Sequence, residues 1–110
     1  MAVLTIQPSN IDTYLAQGSP TSNTGSEAEF NLSKVSGNEL RGLLRFDFSS
    51  LPDGVTISDA KLGLYYEGAT GDPVGETVYA CEVTQPAWVE LEATWNVYST
   101  GNNWAVAGGD

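Results

Sequence analysis

Arg41-Gly42-Leu43-Leu44-Arg45-Phe46-Asp47-Phe48 decides the fold. In an extended chain successive side chains point to opposite faces. Leu44, Phe46 and Phe48 therefore share one face, and Arg41, Leu43, Arg45 and Asp47 share the other. The opposite charges on the second face are placed to pair across strands, so Arg41 and Arg45 are expected to pair with Asp47 or Glu39. Outward from this stretch the same period recurs. Glu27 to Val35 alternates Ala28, Phe30 and Leu32 with polar residues, and Ser36-Gly37-Asn38 supplies a turn before Arg41. After Leu51-Pro52-Asp53-Gly54, where Pro presets φ and Gly accepts positive φ, Ile57 to Glu67 turns Ala60, Leu62, Leu64 and Tyr66 one way and Tyr65 the other. Thr77 to Val83 points Tyr79, Cys81 and Val83 inward. Shorter strands are expected at Val3 to Gln7, Thr13 to Leu15 and Ala93 to Tyr98, and Gln17 to Ser26 and Gly68 to Gly75 are loops.

No window carries the i, i+3, i+4, i+7 apolar spacing and caps of a helix. Six or seven short strands without crossover helices predict an all-β chain with antiparallel sheets, and two packed sheets in a jelly-roll or Greek-key β-sandwich are the natural arrangement. The 110 residues fit one domain, with a sizeable core and no internal repeat.

Composition narrows the function. Fourteen acidic residues against four basic ones give a net charge of −10, and Lys34, Arg41, Arg45 and Lys61 are too few to neutralise a nucleic acid or seek an anionic membrane. There is no histidine, which removes Ser-His-Asp and Cys-His catalysis and imidazole metal sites. The single cysteine, Cys81, forms no intrachain disulfide and reads as a small buried hydrophobe. The first residues lack a charged region and a long apolar run, so no export signal is expected. Asn31-Leu32-Ser33 fits a glycosylation acceptor, which carries little weight without export.

The order of motifs resembles the DNRLRE-type jelly-roll domain, a family overlapping a class of carbohydrate-binding modules. The residues that carry the resemblance are Leu4-Thr5-Ile6-Gln7-Pro8-Ser9 with Asp12-Thr13-Tyr14, Arg41 to Pro52, Ile57 to Tyr65, Thr94-Trp95-Asn96 and Gly101-Asn102-Asn103-Trp104. The resemblance implies a β-sandwich that binds or scaffolds, carried on secreted polysaccharide-degrading enzymes, cell-surface proteins and phage structural proteins, with no catalytic residues carried over. It also implies further strands after the equivalent of Gly108-Gly109-Asp110. A sandwich without them exposes an edge and part of its core. Either the chain belongs to a longer protein, or a neighbouring subunit supplies the strand.

Candidate ligand residues are aromatic. Trp88, Trp104, Tyr65 and Tyr98 could stack on sugar rings, whose C–H faces suit the negative face of an aromatic ring. Trp95 reads as a framework position. Tyr65, outward beside inward Tyr66, is the better of that pair. Arg41 and Arg45 are candidates for an acidic polymer such as alginate through bidentate carboxylate contacts, against which the acidic charge counts. Asp53, Asp72 and Glu76 are weak Ca²⁺ candidates in loops, without the Asp-x-Asp-x-Asp-Gly pattern. Glu90 and Glu92 share a face, but that spacing equally describes a strand edge, and catalysis is not expected. The favoured function is a non-catalytic virion surface component, such as a head decoration, tail, fibre or adhesin module of a phage. It would partner capsid or tail proteins, or form a homo-oligomer. The alternative is an extracellular carbohydrate-binding module.

Overall fold

The computed structural model describes residues 2–6, 11–68 and 75–109. Five strands form among them: β1 (Ile11–Ala16), β2 (Ser33–Val35), β3 (Asn38–Arg45), β4 (Val97–Ser99) and β5 (Asn102–Asn103). No described residue is helical, and every strand pair is antiparallel. The chain is all-β, as its alternation predicts, and its two antiparallel sheets are consistent with a β-sandwich. One sheet has the order β1-β3-β2, and the other is the hairpin β4-β5.

Both hairpins turn on a glycine. Val35 opposes Asn38 across Ser36-Gly37, and Ser99 opposes Asn102 across Thr100-Gly101. Gly37 and Gly101 sit at φ 76° and 78°, a region that a Cβ disfavours.

The β1–β3 register sets Ile11 opposite Arg45, Thr13 opposite Leu43 and Leu15 opposite Arg41. These six residues share one face, and the closed core lies against it. Leu15, Leu43, Trp88, Ala93, Trp95 and Trp104 are its buried members, with Ile11, Val83 and Tyr98 packed beside them. The chain from Pro86 to Gly109 thus forms a lid of indole rings over the Arg41-Leu43-Arg45 face. Trp104 is tied into it by its ring N–H, which donates to the Thr94 carbonyl at 2.8 Å.

Among the described residues the outer edge of β1 has no strand beside it, yet it is covered. The Thr24 hydroxyl meets both backbone groups of Tyr14, at 3.0 Å from its N–H and 2.7 Å from its carbonyl. Two residues earlier, the Asp12 N–H donates to a Glu90 carboxylate oxygen at 3.0 Å. Side chains stand in for a neighbouring strand and blunt the edge. Asn23 holds this loop down, its amide donating to the carbonyls of Glu90 at 2.7 Å and Ala93 at 2.8 Å. Asn23→Ala removes both bonds and is expected to cost about 1–3 kcal/mol, since each net hydrogen bond is worth about 0.5–1.5 kcal/mol. Urea denaturation checks this, and an unchanged midpoint refutes the anchoring role.

Several expected strands do not form. Residues 2–6 carry no strand, and Gln7 lies outside the described residues. The strand expected over Glu27 to Val35 is confined to its last three residues. Phe30 and Leu32 instead lie against Gly42, where a Cβ would meet the Phe30 ring at 2.8 Å. The strand expected from Arg41 begins at Asn38 and stops at Arg45; beyond it Leu51 N–H closes a turn on the Phe48 carbonyl at 2.9 Å. Trp95 lies in the bend before β4, and residues 57–67 and 77–83 run without strand partners among the described residues. Alternation marks a chain suited to a sheet, but a strand also needs a partner backbone.

Candidate functional site

Trp88 and Trp104 are 3% and 5% exposed, so neither offers a ring face to a sugar. Trp95, read as framework, is buried with them. These rings follow turn-forming residues, and the sequence there shows no alternation that separates a buried indole from an exposed one. The two arginines of β3 stack on two of these indoles, those of Trp88 and Trp95. The Arg45 guanidinium lies 4.5 Å from the Trp88 ring centroid, and that of Arg41 lies 5.0 Å from that of Trp95.

The arginines are committed elsewhere too. Arg45 donates to the carbonyls of Pro86 at 2.6 Å and Trp88 at 3.1 Å. It does not pair with Asp47, whose carboxylate accepts the Ser49 N–H at 2.8 Å. That backbone hydrogen bond, followed by one from the Ser49 side chain, lowers the Asp47 pKa. Arg41 pairs with Glu39 at 2.8 Å, as one of the two expectations had it, and donates to the Gly108 carbonyl at 3.2 Å. Both guanidinium groups hold the lid to the sheet, and Arg41, which stays about half exposed, already spends two of its nitrogens on Glu39.

Among the aromatic candidates, Tyr65 is 90% exposed and Tyr98 is half-buried, its ring edge-on to Trp104 at 5.8 Å. Tyr66 and Tyr79, expected inward, are exposed as well, because no second layer covers their segments among the described residues. The exposed hydroxyl-bearing rings of Tyr65, Tyr66 and Tyr79 are thus open to solvent where the tryptophans are not. Tyr14 is different: burial first, and then its hydrogen bond to Glu27 at 2.9 Å, raise its pKa above the ordinary tyrosine range. Cys81, expected in the core, is exposed, on one of the two segments without strand partners.

The acids are dispersed or occupied. Asp53 and Glu76 are both exposed, and Asp72 lies outside the described residues. Among the described residues no three of His, Cys, Asp and Glu come together as a cation cage. Glu90 accepts the Asp12 N–H, and Glu92 accepts the Thr100 N–H at 2.9 Å. Each of the two carboxylates therefore braces a backbone.

The frame is all-β, and Tyr65, Tyr66 and Tyr79 are the tyrosine rings it leaves exposed among the described residues. The chain belongs to carbohydrate-binding module family 96, whose family model matches residues 4–103. Such a family binds and does not catalyse, in line with the reading from absent histidine. The match bears out the carbohydrate-binding side of the resemblance; it does not confirm the DNRLRE-type assignment, and it gives no support to a virion component. Neither the curated proteins nor the solved structures contain a match.

Proposed function

We propose that the chain binds polysaccharide, and that its contact runs through exposed tyrosine rings. The family match over residues 4–103 carries this reading. Tyr65 supplies the best-placed ring, since nearly all of its surface is open. A flat aromatic face gains contact with the C–H face of a sugar while the phenol oxygen and nearby polar groups hydrogen-bond the hydroxyls. Tyr98, anchored edge-on against Trp104, is a second candidate.

Affinity electrophoresis against a panel of neutral and acidic polysaccharides tests the proposal. At least one glycan is expected to retard the protein. Tyr65→Ala is expected to weaken that retardation about fivefold, the equivalent of about 1 kcal/mol for one stacked ring. No retardation by any glycan overturns the function, and retardation indifferent to Tyr65→Ala overturns the assigned contact.

A further inference from the structure

The exposed rings of Tyr65, Tyr66 and Tyr79 lie on two segments, residues 57–68 and 75–83, and both segments are acidic. Between them they carry Asp59, Glu67, Glu76 and Glu82, all exposed, against one cation, Lys61. Lys61 is paired with Asp59 at 3.4 Å, which leaves Glu67, Glu76 and Glu82 in no ion pair among the described residues. The chain itself keeps these acids close to the rings. Each residue spans at most about 3.6 Å, so the Cα of Glu67 lies within about 7 Å of that of Tyr65, and those of Glu76 and Glu82 within about 11 Å of that of Tyr79. The other cations are held elsewhere. Arg41 and Arg45 stack on Trp95 and Trp88, and Lys34 stands opposite Glu39 across β2 and β3. Tyr79 also borders an apolar trough of about 230 Å³ between Leu44, Phe46, Leu62 and Leu64, and no charged residue lines it.

A carboxylated or sulfated glycan is gripped through cations, above all arginine forks set against its anionic groups. Beside these tyrosines it would meet carboxylates instead. Two unit charges about 7 Å apart in water repel by close to RT, so each anionic group brought next to Glu67 lowers affinity about threefold. An uncharged glycan escapes this penalty. Its C–H faces stack on the phenol rings, and its hydroxyls donate charge-assisted hydrogen bonds to the glutamates. We propose that the tyrosine surface selects uncharged polysaccharide and rejects polymers that bear carboxylate or sulfate groups. Such selection rests on the chain binding polysaccharide at all, and names the class of polymer.

Biolayer interferometry on immobilised polymers tests the selection, with hydroxyethyl and carboxymethyl forms of cellulose, dextran, xylan and galactomannan at equal substitution. The two forms of each polymer match in bulk and differ in charge. At least one hydroxyethyl form is expected to bind, with the same affinity at about 0.01 M and about 0.15 M salt. Its carboxymethyl counterpart is expected to bind about fivefold more weakly at the lower salt and about twofold more weakly at the higher, as the screening length falls from about 30 Å to about 8 Å. Glu67→Gln, Glu76→Gln and Glu82→Gln together are expected to narrow the low-salt gap to about twofold or less. Equal or tighter binding of the carboxymethyl form at low salt overturns the selection and leaves polysaccharide binding standing. So does a gap that persists in the triple variant while its urea midpoint is unchanged. Absence of binding to every polymer overturns the polysaccharide reading itself, and the selection with it.

Discussion

Trp88→Ala is expected to cost about 3–5 kcal/mol of folding stability, the range for deleting a large buried aromatic. The ring is 3% exposed and belongs to the same cluster as Leu15 and Leu43, so its loss opens a cavity where the lid meets the sheet. The Arg45 guanidinium, stacked at 4.5 Å, loses the ring beneath it while remaining tied to the Pro86 and Trp88 carbonyls. A stacked cation is worth about 0.5–2 kcal/mol, so part of the cost belongs to the arginine. A double-mutant cycle with Arg45→Met separates the two contributions by urea denaturation. A domain of ordinary stability has only about 5–15 kcal/mol to lose, so the single variant should be visibly destabilised at room temperature. A cost below about 1 kcal/mol would show that Trp88 does not hold the lid.

Gly108→Ala is expected to cost about 2–5 kcal/mol, from two separable causes. Gly108 sits at φ 95°, where a Cβ costs about 1–2 kcal/mol. That Cβ would also lie 2.8 Å and 2.9 Å from atoms of the Trp95 ring and 3.1 Å from an Arg41 nitrogen. Overpacking of this kind costs about 1–3 kcal/mol. The neighbours cannot yield freely, because the Gly108 N–H donates to the Trp95 carbonyl at 2.7 Å and its carbonyl accepts from Arg41. Gly37→Ala is the control: it has positive φ but nothing within 4 Å of the added atom. It should therefore show only the conformational part. Equal midpoint shifts for the two variants would refute the contact between Gly108 and the indole.

The comparison of the two faces of β3 shows what a strand pattern conveys. The period of two separates Leu44 and Phe46 from Arg41, Leu43 and Arg45 without ambiguity. It does not state which face becomes the core, because alternation is symmetric until something covers one side. Two arginines suggest a wet face. They are compatible with a covered one here because planar guanidinium groups stack on indole rings and donate hydrogen bonds to backbone carbonyls. The glycine turns were equally plain, since Gly37 and Gly54, both read as turn residues, adopt positive φ. The protection of β1 by Glu90 was not, because it joins Asp12 to a residue 78 positions away, whose proximity no local pattern encodes.

Sequence alone determined the class: an antiparallel all-β chain, punctuated by glycine turns, without the histidine chemistry of common catalytic sites. These follow from composition and near-neighbour stereochemistry, which are local. Tertiary structure decided which rings are available. Trp88, Trp95 and Trp104 became the lid, Tyr65 stayed open, and the apolar face of β3 was left as a trough. Those outcomes depend on which surfaces meet across the sheet, and burial is a property of the partner as much as of the residue.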